Sequence, residues 1–302
     1  MATITASMVK ELREKTSAGM LDCKKALDAT NGDMEEAVTW LRERGIAKAV
    51  KKESAVAAEG LCSYAVSGNK CVVFELNSQT DFVAQNEKFL NLLDQVGSAL
   101  VASDATNTEE ALEVDVNGKT LGTLILEASG VIGEKITLRR VSVIQKQADE
   151  VFGTYKHMKG RIITVVTLSG NNDVVAKDIA MHVAALNPRY ISKEDVPADV
   201  IAKEKEIILA AALNENAQSA KPKPEKIVEE RIVPGRLEKN LKEICLLSQA
   251  FVKNPDQTVE AYLNAAKSTV QHFIRLEVGE GIEKQVNDFA AEVAAQSAAF
   301  NR

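Results

Sequence analysis

One order of patterns occurs twice in this chain, and it constrains the fold more than any other feature. In the first occurrence, Leu61 to Ser67 and Lys70 to Leu76 alternate as strands around Gly68-Asn69, a two-residue loop suited to a tight hairpin. Phe89, Leu92, Leu93, Val96 and Leu100 then recur at helical spacing, a further helical pattern covers Leu121 to Leu126, and Ile136 to Ile144 alternates as a strand. In the second occurrence, Val151 to His157 and Arg161 to Leu168 flank a turn near Lys159-Gly160. Val174 to Leu186 reads as helix and Val270 to Val278 as the closing strand. Hairpin, helix and final strand, read twice, imply two related α+β subdomains with antiparallel sheets. At ~150 residues per domain, a chain of 302 residues has room for both. The register of the first hairpin sets Cys71 opposite Val66 rather than Cys62, so no Cys62–Cys71 disulfide is expected.

Three other regions flank or interrupt this repeat. Before it come three short amphipathic helices. The first runs from about Thr5, with Met8, Val9 and Leu12 on one face. The second carries Met20, Cys23, Ala26 and Leu27 and stops at Asn31-Gly32. The third opens on Asp33-x-x-Glu36, continues through Met34, Ala37, Val38 and Leu41, and is expected to end at Gly45. Three helices around so small a core suit recognition better than catalysis. The basic, alanine-rich stretch from Arg42 to Lys52 reads as a solvated linker or helix.

Within the second repeat, Val196 to Asn214 is helical, and the prolines of Ser219-Ala220-Lys221-Pro222-Lys223-Pro224 break it. A second charged helical stretch, Glu225 to Ile244, is expected to be interrupted at Pro234-Gly235. The pair forms an antiparallel helical hairpin, either an association surface or a pair packed on its own core. After Gly279-Glu280-Gly281, Ile282, Val286, Phe289 and Val293 stripe one helical face, for burial in the chain's own core or in a partner groove. The expected division is 1–54 (helical module and linker), 55–148, 149–281 with the inserted hairpin at about 190–244, and a helical tail at 282–302.

Composition excludes several functions. Lys and Arg number 37 against 43 Asp and Glu, a net charge of −6, which argues against a general nucleic-acid binder. No apolar run approaches the ~18 residues of a membrane span. The opening Met1-Ala2-Thr3-Ile4-Thr5 has no basic or apolar signal-peptide region. Four cysteines without a Cys-x-x-Cys pair, and three histidines, make zinc unexpected and a reduced, cytoplasmic protein the simplest reading. No phosphate-binding loop, nucleophile elbow or His-Glu-x-x-His motif is present, so no catalytic residue and no metal ligand is nominated. Gly130 to Lys135 reads as a helix-ending turn. His182, in an apolar helix, reads as a core or interface histidine. His157, beside Tyr155 near a hairpin tip, is the more exposed of the two.

Gln79-Thr80-Asp81-Phe82-Val83-Ala84-Gln85-Asn86 follows the second strand directly. Thr80 suits a helix N-cap and Asp81 the positive end of the helix dipole. Phe82 either enters the core or stands at the tip of a rigid strand-to-helix turn as a wedge for another protein. This motif belongs to a longer series: Ile4 to Ser7, Val9 to Arg13, Thr16, Ala18-Gly19-Met20, Asp22 to Leu27, Thr80 to Val83, His157, Ile179 to Ala185, Phe273-Ile274-Arg275, Glu277 to Lys284, and Asp288 to Ala294. Taken in order, the series resembles the bacterial elongation factor Ts family, the guanine-nucleotide exchange factors of elongation factor Tu.

The resemblance implies a non-enzyme without a cofactor of its own, acting on GDP and magnesium bound to elongation factor Tu. It implies that the N-terminal helices form a ubiquitin-associated-type module docking on the GTPase domain, with Leu12, Met20 and Leu21 at the partner. It implies that Thr80, Asp81, Phe82 and Val83 intrude near the partner's magnesium and that His157 presses toward its phosphate-binding region. The second subdomain would touch the partner's third domain, the helical hairpin would mediate self-association, and Ile282, Val286, Phe289 and Val293 would pack on the partner. No nucleic acid or membrane is expected as a direct partner. The rival reading is a non-catalytic helical-arm adaptor or chaperone without effect on nucleotide release.

Overall fold

The computed structural model describes residues 4–16, 18–50, 55–219 and 221–282. They fall into two compact units: residues up to Ile144 together with those from Leu276, and Gln145 to Arg275.

The first unit opens with α1 (Ala6–Thr16), α2 (Met20–Ala29) and α3 (Met34–Val50). Arg13 and Lys15 in the last turn of α1 complement its dipole. Asn31 and Gly32 take the left-handed turn after α2, and the Asp33 carboxylate accepts the Glu36 N–H at 2.8 Å to cap α3. Val9, Leu12, Cys23, Ala26, Leu27 and Ala37 fill the small core between them. There follow β1 (Glu59–Ser67), β2 (Lys70–Ser78), α4 (Asp81–Ala84), α5 (Glu87–Ala102), α6 (Thr108–Leu112), α7 (Leu121–Ile132) and β3 (Thr137–Gln145), with sheet order β1-β2-β3. Phe74, Leu76, Phe89, Leu100 and Leu121 are fully buried between sheet and helices. Cys71 pairs with Val66 as the hairpin register requires, and all four cysteines are free and buried. Desolvation pushes the Cys71 thiol up to about 12 and the Cys62 thiol in the same direction, which removes both as nucleophiles at neutral pH. α7 ends at Gly133 in the left-handed conformation (φ 89°), the helix-ending turn that the sequence implied.

Gly45 does not end α3, contrary to the sequence reading; the helix continues to Val50. The reason lies in α7. A Cβ on Gly130 would stand 2.4 Å from the Gly45 carbonyl oxygen, so the two glycines let the helix backbones meet. Glycine inside a helix costs only ~1 kcal/mol relative to alanine, which a helix–helix seam repays. Nor is Arg42 merely solvated: it pairs with Glu127 of α7, which also holds Lys119 at 2.8 Å. Gly130→Val therefore drives side-chain atoms into backbone, and urea denaturation should show a loss of about 1–3 kcal/mol. An unchanged midpoint would mean that the helices do not depend on this approach.

Near the chain's return to this unit lies a buried charge cluster. Glu75 of β2 is fully buried. Its carboxylate accepts from Arg139 Nη1 at 3.1 Å, Arg140 Nε at 2.5 Å, Asn77 Nδ2 at 2.9 Å and the Gly279 N–H at 2.8 Å. Arg140 Nη2 also donates to the Glu277 carbonyl at 2.7 Å. Gly279 has φ 73°, and a Cβ there would stand 2.3 Å from the Ala58 carbonyl oxygen. The glycine is thus needed for both conformation and space.

The second unit holds β4 (Glu150–His157), β5 (Ile162–Ser169), α8 (Asp173–Leu186), α9 (Ala198–Ala217), α10 (Glu225–Ile227), α11 (Val233–Ile244), β6 (Ala250–Phe251), β7 (Asn254–Thr258), α12 (Val259–Ala265) and most of β8 (Val270–Glu277). Its main sheet has the order β4-β5-β8: again a hairpin, with the late strand beside the hairpin's second member. The fold is α+β, and the internal repeat read from the sequence is present. α8 lies on this sheet, closest where a Cβ on Gly153 would be 2.0 Å from the Ala176 carbonyl oxygen. His182 of α8 is a core residue: Nε2 bonds Gln249 Oε1 at 2.8 Å, Nδ1 accepts the Val252 N–H at 3.1 Å, and burial pulls its pKa below the ordinary histidine value.

The inserted hairpin has its own core, with Ala212, Val228 and Val233 buried against Ile208, Leu209, Leu213 and Ile232. Pro234-Gly235 does not interrupt it, a second correction. A π turn at Val228–Ile232 precedes the proline, which occupies the first turn of α11. There its missing N–H costs little, and the wider turn makes room for the ring. Among the described residues, no helix is long and apolar enough to cross a membrane.

Candidate functional site

β2 ends at Ser78, and Gln79 and Thr80 carry the chain into α4, a single helical turn. Thr80 is extended (φ −121°, ψ 155°), and its hydroxyl oxygen accepts the Val83 N–H at 3.4 Å, the expected N-cap. Its own N–H and O–H donate to the two carboxylate oxygens of Glu134, at 2.9 and 2.7 Å. The Ser78 hydroxyl donates to the Thr80 carbonyl at 2.9 Å, and Gln79 Oε1 accepts the Lys135 N–H at 3.0 Å. Thr80 is therefore held from both sides, by Glu134 and by Ser78, and Gln79 ties the same segment to Lys135.

At 100° per residue, one helical turn spreads its side chains in every direction. Ala84 points inward and is buried, and Val83 packs against the same core. Phe82 is left outside: it is 82 % exposed, more than any other large hydrophobic side chain among the described residues. The reading in which Phe82 enters the core is thus excluded. Asp81 is exposed beside it, at the positive end of the short helix.

The other nominated residues separate by exposure. Leu12 is 0 % exposed, so it is core to its own three-helix module and has no face for a partner, which corrects that expectation. Met20 and Leu21, at the start of α2, are 52 % and 74 % exposed. His157 ends β4 and is exposed, its Nδ1 3.3 Å from the Tyr155 hydroxyl. Beyond it, Met158 and Lys159 take the left-handed conformation at φ 46° and 58°, which is uncommon for non-glycine residues, and the Met158 side chain projects into solvent. Ile282 is half-buried, whereas Val286, Phe289 and Val293 lie outside the described residues.

Three residues escaped the sequence reading, two beside the Thr80 turn and one on the β4–β5 hairpin. Glu134 is 54 positions from Thr80 and carries no local signal beyond following the helix-ending Gly133; Gln79 carries none beyond its place in the motif. Met158 opens the four-residue loop between His157 and Ile162, whose middle is the Lys159-Gly160 turn read from the sequence, and nothing in the sequence marks its exposure. Among the described residues, no group of three or more His, Cys, Asp or Glu side chains is arranged to hold a metal ion.

A family model described as Elongation factor TS matches residues 79–280. That interval opens at the candidate turn and closes at the residue after Gly279, whose amide is bound by Glu75. Elongation factor Ts of Acholeplasma laidlawii (strain PG-8A) is 52% identical over 295 residues, covering 97% of this chain and 99% of its own length. Elongation factor Ts of Spiroplasma citri is 49% identical over 294 residues, covering 97% and 98%. With its repeated sheets, its N-terminal helical module and these matches, this chain belongs to the elongation factor Ts family.

Proposed function

We propose that this translation elongation factor binds the GDP form of elongation factor Tu and promotes GDP release by disturbing its magnesium and phosphate site, after which GTP rebinds. The observation that carries this reading is Phe82: a large apolar side chain held in solvent on a turn anchored through Thr80. A few residues, large aromatic ones prominent among them, carry most of the binding energy of a protein interface.

GDP in a GTPase is held by backbone N–H groups and by magnesium bridged to its phosphates. A factor that prefers the nucleotide-free partner weakens nucleotide binding, and by reciprocity rebound nucleotide expels the factor. Every tenfold change in nucleotide affinity corresponds to about 1.4 kcal/mol of such coupling. Phe82 acts as the wedge, with Thr80 and Val83 supporting it. Asp81 competes for local hydrogen bonds and His157 acts on the phosphate side. Met20 and Leu21 form the docking patch of the N-terminal module, and the inserted hairpin serves self-association. No covalent bond is made or broken.

The test is release of labelled GDP from elongation factor Tu with and without this chain. Acceleration supports the reading; an unchanged rate supports the adaptor or chaperone alternative. His157→Ala should slow the accelerated release by about 3–10-fold, while a surface substitution of this kind leaves stability within ~0.5 kcal/mol. A collapse of stability instead would make His157 structural.

A further inference from the structure

We propose that Glu134 is a positioning residue for exchange, holding the Thr80–Val83 turn so that Phe82 is presented in one orientation. The proposal rests on the wedge reading of Phe82. A helix of four residues does not persist by itself, because forming the first turn costs more backbone entropy than one hydrogen bond returns. Contacts outside α4 must hold it: Val83 and Ala84 pack on the core, and the polar support is the Glu134 carboxylate. One of its oxygens takes the Thr80 N–H and the other takes the Thr80 hydroxyl proton. Fixing that proton turns a lone pair of the hydroxyl oxygen toward the Val83 N–H, the bond that closes the cap. The carboxylate thus sets the cap through a charge-assisted relay, stronger than a neutral one.

Glu134 is itself held. It follows Gly133, whose left-handed conformation ends α7. The Ile136 N–H donates to the buried Ser129 hydroxyl at 2.9 Å, and the Ser129 hydroxyl donates to the Ile125 carbonyl at 3.0 Å, tying the start of β3 back to α7. The Lys135 N–H bound to Gln79 adds a second tether between the same two segments.

The chemistry separates two substitutions. Glu134→Ala removes both acceptors. Glu134→Gln keeps the shape and one acceptor oxygen but sets an amide NH2 against a Thr80 donor. The Ala variant should lower the GDP-release rate at saturating factor by about tenfold and change the half-saturating concentration less than ~2-fold, because it removes preorganisation and leaves the docking surface intact. The Gln variant should fall between it and the parent. Added to Phe82→Ala, Glu134→Ala should change the rate less than ~2-fold, because both act through one side chain.

A merely structural Glu134 would behave otherwise. The melting temperature would fall, both kinetic parameters would change, and the effect would persist in the Phe82→Ala background; that pattern overturns the proposal. If Phe82→Ala is impaired while Glu134→Ala matches the parent, the positioning role alone is wrong. If Phe82→Ala itself matches the parent, the wedge reading falls and the positioning role with it.

Discussion

Asp81→Ala combined with Phe82→Ala slows GDP release from elongation factor Tu by roughly 30-fold or more, the ~2 kcal/mol threshold of an interface anchor, and leaves the melting temperature of the isolated chain almost unchanged. The two halves of this expectation come from one number. A buried phenylalanine cut to alanine costs about 3–5 kcal/mol, but Phe82 is 82 % exposed and supports nothing in its own fold. Alanine also suits a helical position better than phenylalanine. Stability should therefore stay within ~0.5 kcal/mol, as for other surface changes. Differential scanning calorimetry and stopped-flow nucleotide release on the same preparation measure both. A folded double variant with parental exchange would remove the wedge.

Glu75→Ala should destabilise the first unit by about 3 kcal/mol, because removing one partner of a buried ion pair strands the others. Arg139 and Arg140 are part-exposed and recover some water. The Asn77 amide and the Gly279 N–H recover much less, since both lie in buried surroundings. Two units need not unfold together, so a single global transition is a poor measure. Hydrogen exchange at the Gly279 amide is a better one: it should accelerate sharply in the variant, while amides of α8 in the second unit keep their protection. Equal acceleration in both units would show that Glu75 stabilises the whole chain rather than one turn.

The sequence carried the sheets well because alternation and turn chemistry are both local. Gly68-Asn69 fixed the first hairpin register, so the Cys71–Val66 pairing followed without any structure. Features that depend on distant partners were illegible or misread. Gly45 looks like a helix end because its neighbour Gly130 is far along the chain. Pro234-Gly235 looks like a break unless the π turn before it is known. β7 runs through Asn254-Pro255-Asp256, which has no strand pattern at all. At the candidate site, the motif and the Thr80 cap were readable. The exposure of Phe82 was not, because it depends on Val83 and Ala84 filling the core first. Leu12 carried the same ambiguity the other way: an apolar helix face shows which side is greasy but not whether the chain itself covers it.

The first unit is discontinuous, left at Ile144 and rejoined at Leu276, and this has a consequence for how the protein is made. A ribosome finishes β1, β2 and β3, with Glu75, Arg139 and Arg140 in place, before it has begun the second unit. The amide that completes the coordination of Glu75 belongs to Gly279. Roughly 130 further residues must be added first, which at ~5–20 residues per second takes roughly 7–26 s. Over that interval the nascent first unit carries a carboxylate with one hydrogen bond still open. Premature termination anywhere in the second unit would leave it so permanently, and such fragments should be marked for proteolysis by the unclosed turn.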